Sequence, residues 1–430
     1  MLFKNIAYAD ESYTLQTGGY IATQGNRITY IGSEAPAEYT GDVFDGQNHV
    51  ALPGFFNAHC HVPMVLLRGF GEGLPLQRWL EERMFPFEDL LTADDMYWGS
   101  LLGIAEMLAS GCVSFTDMYM EVESLCRAVQ ESGIKANLCH GATGGADTHY
   151  ADTWGGRATQ SLMQYMKSAP NDRILADVGI HAEYTSDALI CREAACFAEE
   201  NGMRIHTHIS ETRKEHEECK QRRGMTVTQW FLQNGVLEVP ASVAHCVWVE
   251  DEDMDILAAK GATVGHCPSS NLKLGSGIAR VKTMVEKGVR VAIGTDGAAS
   301  NNNLNVLEEV SLASLLQKGA TMDPLFMGTA QTLEMACRNG ALGQGRTDCG
   351  ALKVGNRADI VLYDLDGPAL QPRLDVLSNV LYSAQANAVA LTMVDGEVVY
   401  ENGEYKNIDI EKVKYHAGHI ANEKVEKLGL

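Results

Sequence analysis

The segment NAHCHVPM sets two histidines, His59 and His61, two residues apart. On a strand such residues face the same way, and Cys60 between them turns to the other side. Two neighbouring imidazoles are half of a zinc-type site, because neutral ring nitrogens suit that class of metal. HxH arises often by chance, so its meaning depends on its company. HTHISE follows at 206–211. There His208 lies nearest the expected strand end, and His206 points into the layer below, where a structural role is expected. GTDGAAS closes another apolar run on Asp296. Three imidazoles and a carboxylate can hold one divalent cation and leave a position for water, as a catalytic metal requires. Glu211 comes three residues after His208. A carboxylate just outside the metal shell can take a proton from that water and pass it to a ring nitrogen of a substrate. An acidic group at the start of a helix would look the same in sequence; the adjacent His208 favours proton transfer. His245, in SVAHCVWV, is placed to hold or polarise the water from its other side.

A second cation would need a bridging ligand, commonly a modified lysine at the end of the fourth strand. That run, ILADVGIH, has no lysine, and Lys135 opens the third strand at the opposite end. One metal is expected. Cys60, Cys246 and Cys267 each adjoin a strand-end histidine, and alternation turns them towards core packing. The run from Asn301 to Asn303 reads as a loop capping the next helix.

Positioning these groups requires a repeated element. Helical stretches end in Gly111, Gly133, Gly202, Gly261 and Gly288, and each is followed directly by a β-branched run. Near-continuous apolar strands suggest a parallel sheet covered on both faces. With NAHCH, ILADVGIH and SVAHCVWV the count reaches eight strands alternating with helices, which predicts an α/β fold built on a (β/α)8 TIM barrel. An open doubly wound sheet should show GxGxxG after its first strand, and none is there. Active sites of such barrels lie at the C-terminal ends of the strands. Nearly every predicted strand ends in a polar residue: His59 with His61, Asp117, His140, His181, His208, His245, His266 and Asp296. The segment GLPLQRWLEERMFPFED reads as a helix over the mouth. The chain ends differ: residues 18–32 and 389–400 alternate in polarity around Gly-Asn and Asp-Gly turns, and 351–363 adds a strand. Neither end has enough strands to stand alone. The expected division is a barrel over 54–345 and a small β-sandwich domain built from 1–53 plus 346–430.

Over 430 residues, 45% apolar and 21% charged content excludes a disordered chain or a coiled coil. No apolar run suits a membrane span, and MLFKNIAYADESY lacks the apolar stretch of a signal peptide. The 34 basic and 56 acidic residues give a net charge of −22, which disfavours nucleic acid and anionic membranes as partners. Eleven cysteines without a CxxC pair read as reduced thiols in a cytoplasmic protein. Further copies of the chain are expected as partners.

PGFFNAHCHVPMVLLRG, HTHISET, HCPSSNLKLGSG and GTDGAASNNNLN together resemble the amidohydrolase superfamily. More closely, they look like its branch of 5′-methylthioadenosine/S-adenosylhomocysteine deaminases, and the likeness covers nearly the whole chain. The resemblance implies one zinc (or iron) held by His59, His61, His208 and Asp296, Glu211 as proton shuttle, and His245 as partner to the water. It implies a hydrolytic deaminase, with Asp296 and His245 holding the tetrahedral intermediate at the purine C6 and Glu211 protonating the adjacent ring nitrogen. Glu88, in MFPFED, falls where that branch binds ribose hydroxyls; Arg157, in WGGR, and His181, in GIHAEYT, fall where it contacts the rest of the substrate. One position departs. His140 stands where the branch usually carries an arginine serving the 5′ side. That puts S-adenosylhomocysteine in doubt and leaves 5′-methylthioadenosine, 5′-deoxyadenosine and adenosine open. Deamination or dechlorination of a free base (guanine, pterin or s-triazine type) is the alternative.

Overall fold

A computed structural model describes residues 1–74 and 76–429. Among the described residues the strands form three sheets. One is a parallel arc of Phe55–Cys60, Cys112–Met118, Lys135–Cys139 and Ile174–Ala176; a second contains Val178–Gly179, Ile205–Ile209, Ala241–His245, Thr263–His266 and Arg290–Ile293. All pairings within the two arcs are parallel. Most of their residues are buried on both faces, as continuous apolar runs under helices demand.

The arcs meet at both edges. Asp177 alone separates Ile174–Ala176 from Val178–Gly179, so the expected fourth strand is one interrupted segment. At the other edge the Thr295 and Asp296 N–H groups donate to the His59 carbonyl at 3.1 and 3.0 Å. Gly294 permits this approach, because a Cβ there would lie 2.9 Å from the His59 nitrogen. The expected helix stops hold as well: helix Ala188–Asn201 ends on Gly202 in the left-handed conformation, φ +61°.

The third sheet joins the two chain ends. His49–Pro53 pairs antiparallel with Ile360–Asp364, with Leu52 opposite Val361. Hydrogen bonding there runs through eight strands in line, with Leu2–Ala9, Leu15–Gln24 and Arg27–Gly32 on one side and Val389–Val394 and Glu397–Glu401 on the other, and a ninth, Val43–Asp45, branches from Leu2–Ala9. Its own core includes Phe3, Ile6, Ile21, Ile28, Leu362 and Leu391. The Asp395-Gly396 turn has positive φ at both residues, +49° and +78°, the twist a two-residue hairpin needs. The strand expected over 351–363 is confined to Ile360–Asp364, since residues 351–359 make a turn around Gly355 at φ +93°.

Two features were not expected. A helix, Ile410–Lys427, leaves the β-sheet and packs on helix Ala93–Ala109, with Lys424 Nζ 3.0 Å from Asp95 and His416 stacked on Trp98 at 4.0 Å. Lys135, buried at the start of its strand, lies 2.6 Å from Asp359 and 2.8 Å from Asp395, tying the parallel strands to the two-ended sheet. The helical segment expected before Glu88 runs through Leu76–Trp79, Leu80–Met84 and Phe85–Glu88; Pro75 within it lies outside the described residues. Among the described residues no helix is long and apolar enough to cross a membrane.

Candidate active site

The histidines converge at the C-terminal ends of the parallel strands, and their partners decide where the protons sit. His61 Nδ1 lies 2.6 Å from the Met118 carbonyl, and His208 Nδ1 lies 2.7 Å from the His181 carbonyl. A carbonyl only accepts, so each Nδ1 carries the proton and each Nε2 keeps a lone pair. His59 reaches the same state through a relay. His206 Nδ1 donates to the Ser242 carbonyl at 3.1 Å, leaving His206 Nε2 to accept from His59 Nδ1 at 2.8 Å. This is the lower-layer role expected of His206. Burial holds His59 at about 4 and His206 and His208 well below the ordinary histidine range, so the neutral forms prevail.

The Nε2 atoms of His59, His61 and His208 thus face one place. The ring centroids lie 4.8 Å apart for His59–His61, 4.9 Å for His59–His208 and 5.6 Å for His61–His208. Asp296 Oδ1 lies 3.5 Å from His59 Nε2 and 3.3 Å from His61 Nε2. Donor atoms of His59, His61 and Asp296 fall within 4.8 Å of one another, as do those of His59, His208 and His245. Among the described residues His59 Nε2 is buried without a hydrogen-bond partner. A buried lone pair facing other lone pairs and a carboxylate is costly unless a cation sits between them. The donor set, with each outer nitrogen fixed on a backbone carbonyl or a further imidazole, suits a zinc-type ion.

Asp296 is held as firmly. Its Oδ2 accepts from Ser270 Oγ at 2.5 Å and Ser300 Oγ at 2.9 Å, and its Oδ1 from the Gly297 N–H at 2.8 Å. Its backbone has φ +61°, an uncommon conformation for a non-glycine residue that clusters at functional sites. Burial opposes its charge, but the neighbouring His59, His61 and His245 hold it well below the usual carboxylate range.

Glu211 follows Ser210, another positive-φ residue at +47°. Helix Arg213–Arg223 is capped by Thr212, whose side chain accepts from the Glu215 N–H at 3.1 Å. Glu215 in turn takes the Ser210 and Glu211 N–H groups at 3.1 and 2.8 Å. Thr212 thus supplies the cap, and the Glu211 side chain turns instead towards Ser276 Oγ at 3.4 Å and His245 Nε2 at 3.9 Å. Burial pushes the Glu211 carboxyl up. At His245, burial is overcome by Glu211 and Asp296, which raise the imidazole. Its Nδ1 lies 3.0 Å from Asn271 Oδ1.

Other expected residues fall at varying distances from this centre. Glu88 accepts from Tyr119 Oη at 2.5 Å, and burial raises its carboxyl despite that bond and the nearby His61. His181 sits beside the cluster, with its ring 5.2 Å from His208, Nδ1 2.8 Å from Thr185 Oγ1, and burial holding it at about 4. His140 is likewise held at about 4 by burial. The Arg157 guanidinium is exposed, donates to the Asp152 carbonyl at 2.7 Å and lies over Trp154. Asp117 braces the turn after His61 by accepting the Val62 N–H at 2.6 Å, and burial raises it to about 7. Cys60, Cys246 and Cys267 are buried free thiols. The sequence reading passed over Ser270, Asn271 and Ser276. Their one signal was a polar PSSN turn straight after a strand-end histidine, and such turns are common in loops.

The amidohydrolase family model matches residues 50–399. The chain is 42% identical over 400 residues, 93% of each chain, to the 5-methylthioadenosine/S-adenosylhomocysteine deaminase of Dictyoglomus thermophilum. It is 41% identical over 430 residues, 98% of each chain, to the deaminase of the same name from Acetivibrio thermocellus. A crystal structure of an adenosine deaminase from Xanthomonas campestris with bound zinc superposes with a TM-score of 0.92 at 25% identity, covering 99% of this chain and 98% of that one. On the match over 350 of its residues and on these near-full-length relatives, the chain belongs to the amidohydrolase family.

Proposed function

We propose that this chain is a metal-dependent hydrolase that deaminates an adenosine-type nucleoside at the purine C6, replacing the exocyclic amine with oxygen and releasing ammonia. Candidate substrates are 5′-methylthioadenosine, 5′-deoxyadenosine, adenosine and S-adenosylhomocysteine. The observation that carries the reading is the convergence of three Nε2 lone pairs and Asp296 beside a Glu211 carboxylate that helix capping does not occupy. The names of the relatives supply the substrate class.

His59, His61, His208 and Asp296 hold one divalent metal, zinc or iron. When bound, it lowers the pKa of water towards about 7 and supplies a nucleophile at neutral pH. Glu211 takes the proton from the attacking water and delivers it to the ring nitrogen next to C6. His245 Nε2 and Asp296 hold the oxygen side of the tetrahedral carbon. Glu211 then takes the proton of the new C6 hydroxyl and carries it to the departing amine, so that the C6 carbonyl forms, ammonia leaves and Glu211 returns to its starting state. Glu88 accepts from the ribose hydroxyls, and His181 and Arg157 contact the rest of the substrate. The neutral His140 offers no cation to a substrate carboxylate, which favours the smaller 5′ groups over homocysteine.

The two parallel arcs, adjoining at Asp177 and at His59, support a closed (β/α)8 barrel over 54–345. The nine-stranded sheet supports a β-sandwich domain from 1–53 plus 346–430. Eleven free cysteines, ten of them buried, fit a reducing compartment such as the cytoplasm.

The test is ammonia release by the zinc-loaded protein across the four nucleosides, guanine and a pterin, with metal content measured in parallel. Turnover of nucleosides, and its loss in Glu88→Ala while any base turnover survives, is the expected result. Turnover of the bases alone refutes the nucleoside assignment.

A further inference from the structure

The segment from Pro268 to Gly277 touches three of the groups just given roles. Ser270 Oγ binds Asp296 at 2.5 Å, Asn271 Oδ1 faces His245 Nδ1 at 3.0 Å, and Ser276 Oγ faces Glu211 at 3.4 Å. Asn271 has the most specific geometry. Its backbone is anchored, because its carbonyl accepts the Ser276 and Gly277 N–H groups at 2.8 and 3.3 Å. Its side chain is buried, and among the described residues its Nδ2 has no hydrogen-bond partner. A buried amide with one end unpaired costs stability, so packing alone would favour an apolar residue of similar size. The other end of the amide meets a histidine that needs orienting. His245 and Cys246 lie at φ +71° and +50°, so the chain turns sharply there and the imidazole is not held in line by a continuing strand.

We infer that Asn271 is a positioning residue: its side-chain oxygen accepts the Nδ1 proton of His245 and thereby aims His245 Nε2 at Glu211 and the reacting centre. The inference rests on the function proposed above. With Nδ1 pinned as a donor, the imidazole cannot flip, and Nε2 is the nitrogen that faces the chemistry. Removing the acceptor leaves His245 free to rotate or to change tautomer. That harms the transition state more than substrate binding, and it leaves the set His59, His61, His208 and Asp296 untouched.

The test compares wild type, Asn271→Ala and Asn271→Asp, all zinc-loaded, for kcat, KM, zinc content and melting temperature. The substrate is whichever of adenosine, 5′-methylthioadenosine or guanine the wild type turns over fastest. Asn271→Ala is expected to lower kcat about 100-fold, the size of effect that an ångström of misplacement produces, with KM within about threefold and zinc content unchanged. Asn271→Asp keeps an acceptor at the same place and is expected to retain kcat within about tenfold. A kcat for Asn271→Ala within about twofold of wild type overturns the inference. So does an Asn271→Asp enzyme no better than Asn271→Ala, or a loss accounted for by missing zinc. Should Asn271→Ala fail to fold, Asn271→Asp decides alone: retained kcat supports the acceptor role and a 100-fold loss refutes it. A wild type active on guanine alone would instead sink the nucleoside assignment, and the same Asn271 comparison would then be read on guanine.

Discussion

Glu211→Gln removes one ionisable group and almost no volume. Glu211 is held through its backbone N–H by Glu215 at 2.8 Å, a contact the substitution leaves alone, and its side chain receives a single long hydrogen bond from Ser276 at 3.4 Å, which an amide can keep. It belongs to neither group of converging donor atoms, so zinc content is expected to stay at the wild-type level. What goes is the capacity to take a proton from water and return one to the purine. Positioned acid–base groups contribute about 10²–10⁴-fold. Because Glu211 acts in both transfers, we expect about a 10³-fold fall in kcat, equivalent to about 4 kcal/mol at about 1.4 kcal/mol per decade. Stability should move the other way. Burial raises the Glu211 carboxyl above 4.5, so its charged form is disfavoured in the fold and stability is lost as pH rises through the folded value. Glutamine removes that loss, and the variant should melt no lower than wild type at pH 7, with any advantage vanishing below pH 4.5. Ammonia release, metal analysis and a melting curve at two pH values test all three points. A kcat within about tenfold of wild type, or a variant that loses its metal, would refute the reasoning.

The pH profile of kcat should fall on its acid side as Glu211 takes a proton, at a pH above the ordinary 4.5 because burial raises it, and on its basic side above 6.5, where the raised His245 loses its proton; flanks at or below those values would contradict this. Dialysis against a chelator should abolish turnover and lower the melting temperature, since ligand at about 100 times its dissociation constant stabilises a fold by about 2.7 kcal/mol; unchanged melting and turnover would speak against a metal. Lys135→Met leaves the buried Asp359 without its cation and Asp395 with only the longer contacts to Arg173 and Arg357, each at 3.4 Å. It should cost about 3–5 kcal/mol, read as a lower melting temperature with little change in the KM of whatever enzyme remains folded.

Much of the site was legible because a strand has a period of two and its end lies at the rim. Alternation alone puts His59 and His61 on one face and predicts His206 one layer below His208, where it indeed supports His59 at 2.8 Å. Repeated Gly-then-apolar runs marked the parallel strands, and Asp395-Gly396 marked its hairpin. Where a segment lacked periodicity the reading failed. Residues 351–359 looked strand-like but turn at Gly355, and the fourth strand breaks at Asp177.

Side-chain types and local period determined which residues stand at the strand ends and which way they face. Tertiary structure alone decided who holds them. Asn271 meets His245 across 26 residues, Glu88 meets Tyr119 across 31, and the Thr295 and Asp296 N–H groups close on His59 across more than 200. It also turned the Glu211 side chain inward towards Ser276 and His245, while Thr212 caps the helix that follows. Periodicity is a property of neighbours along the chain, whereas a hydrogen bond between distant segments depends on how whole layers pack, and that information exists only once they have.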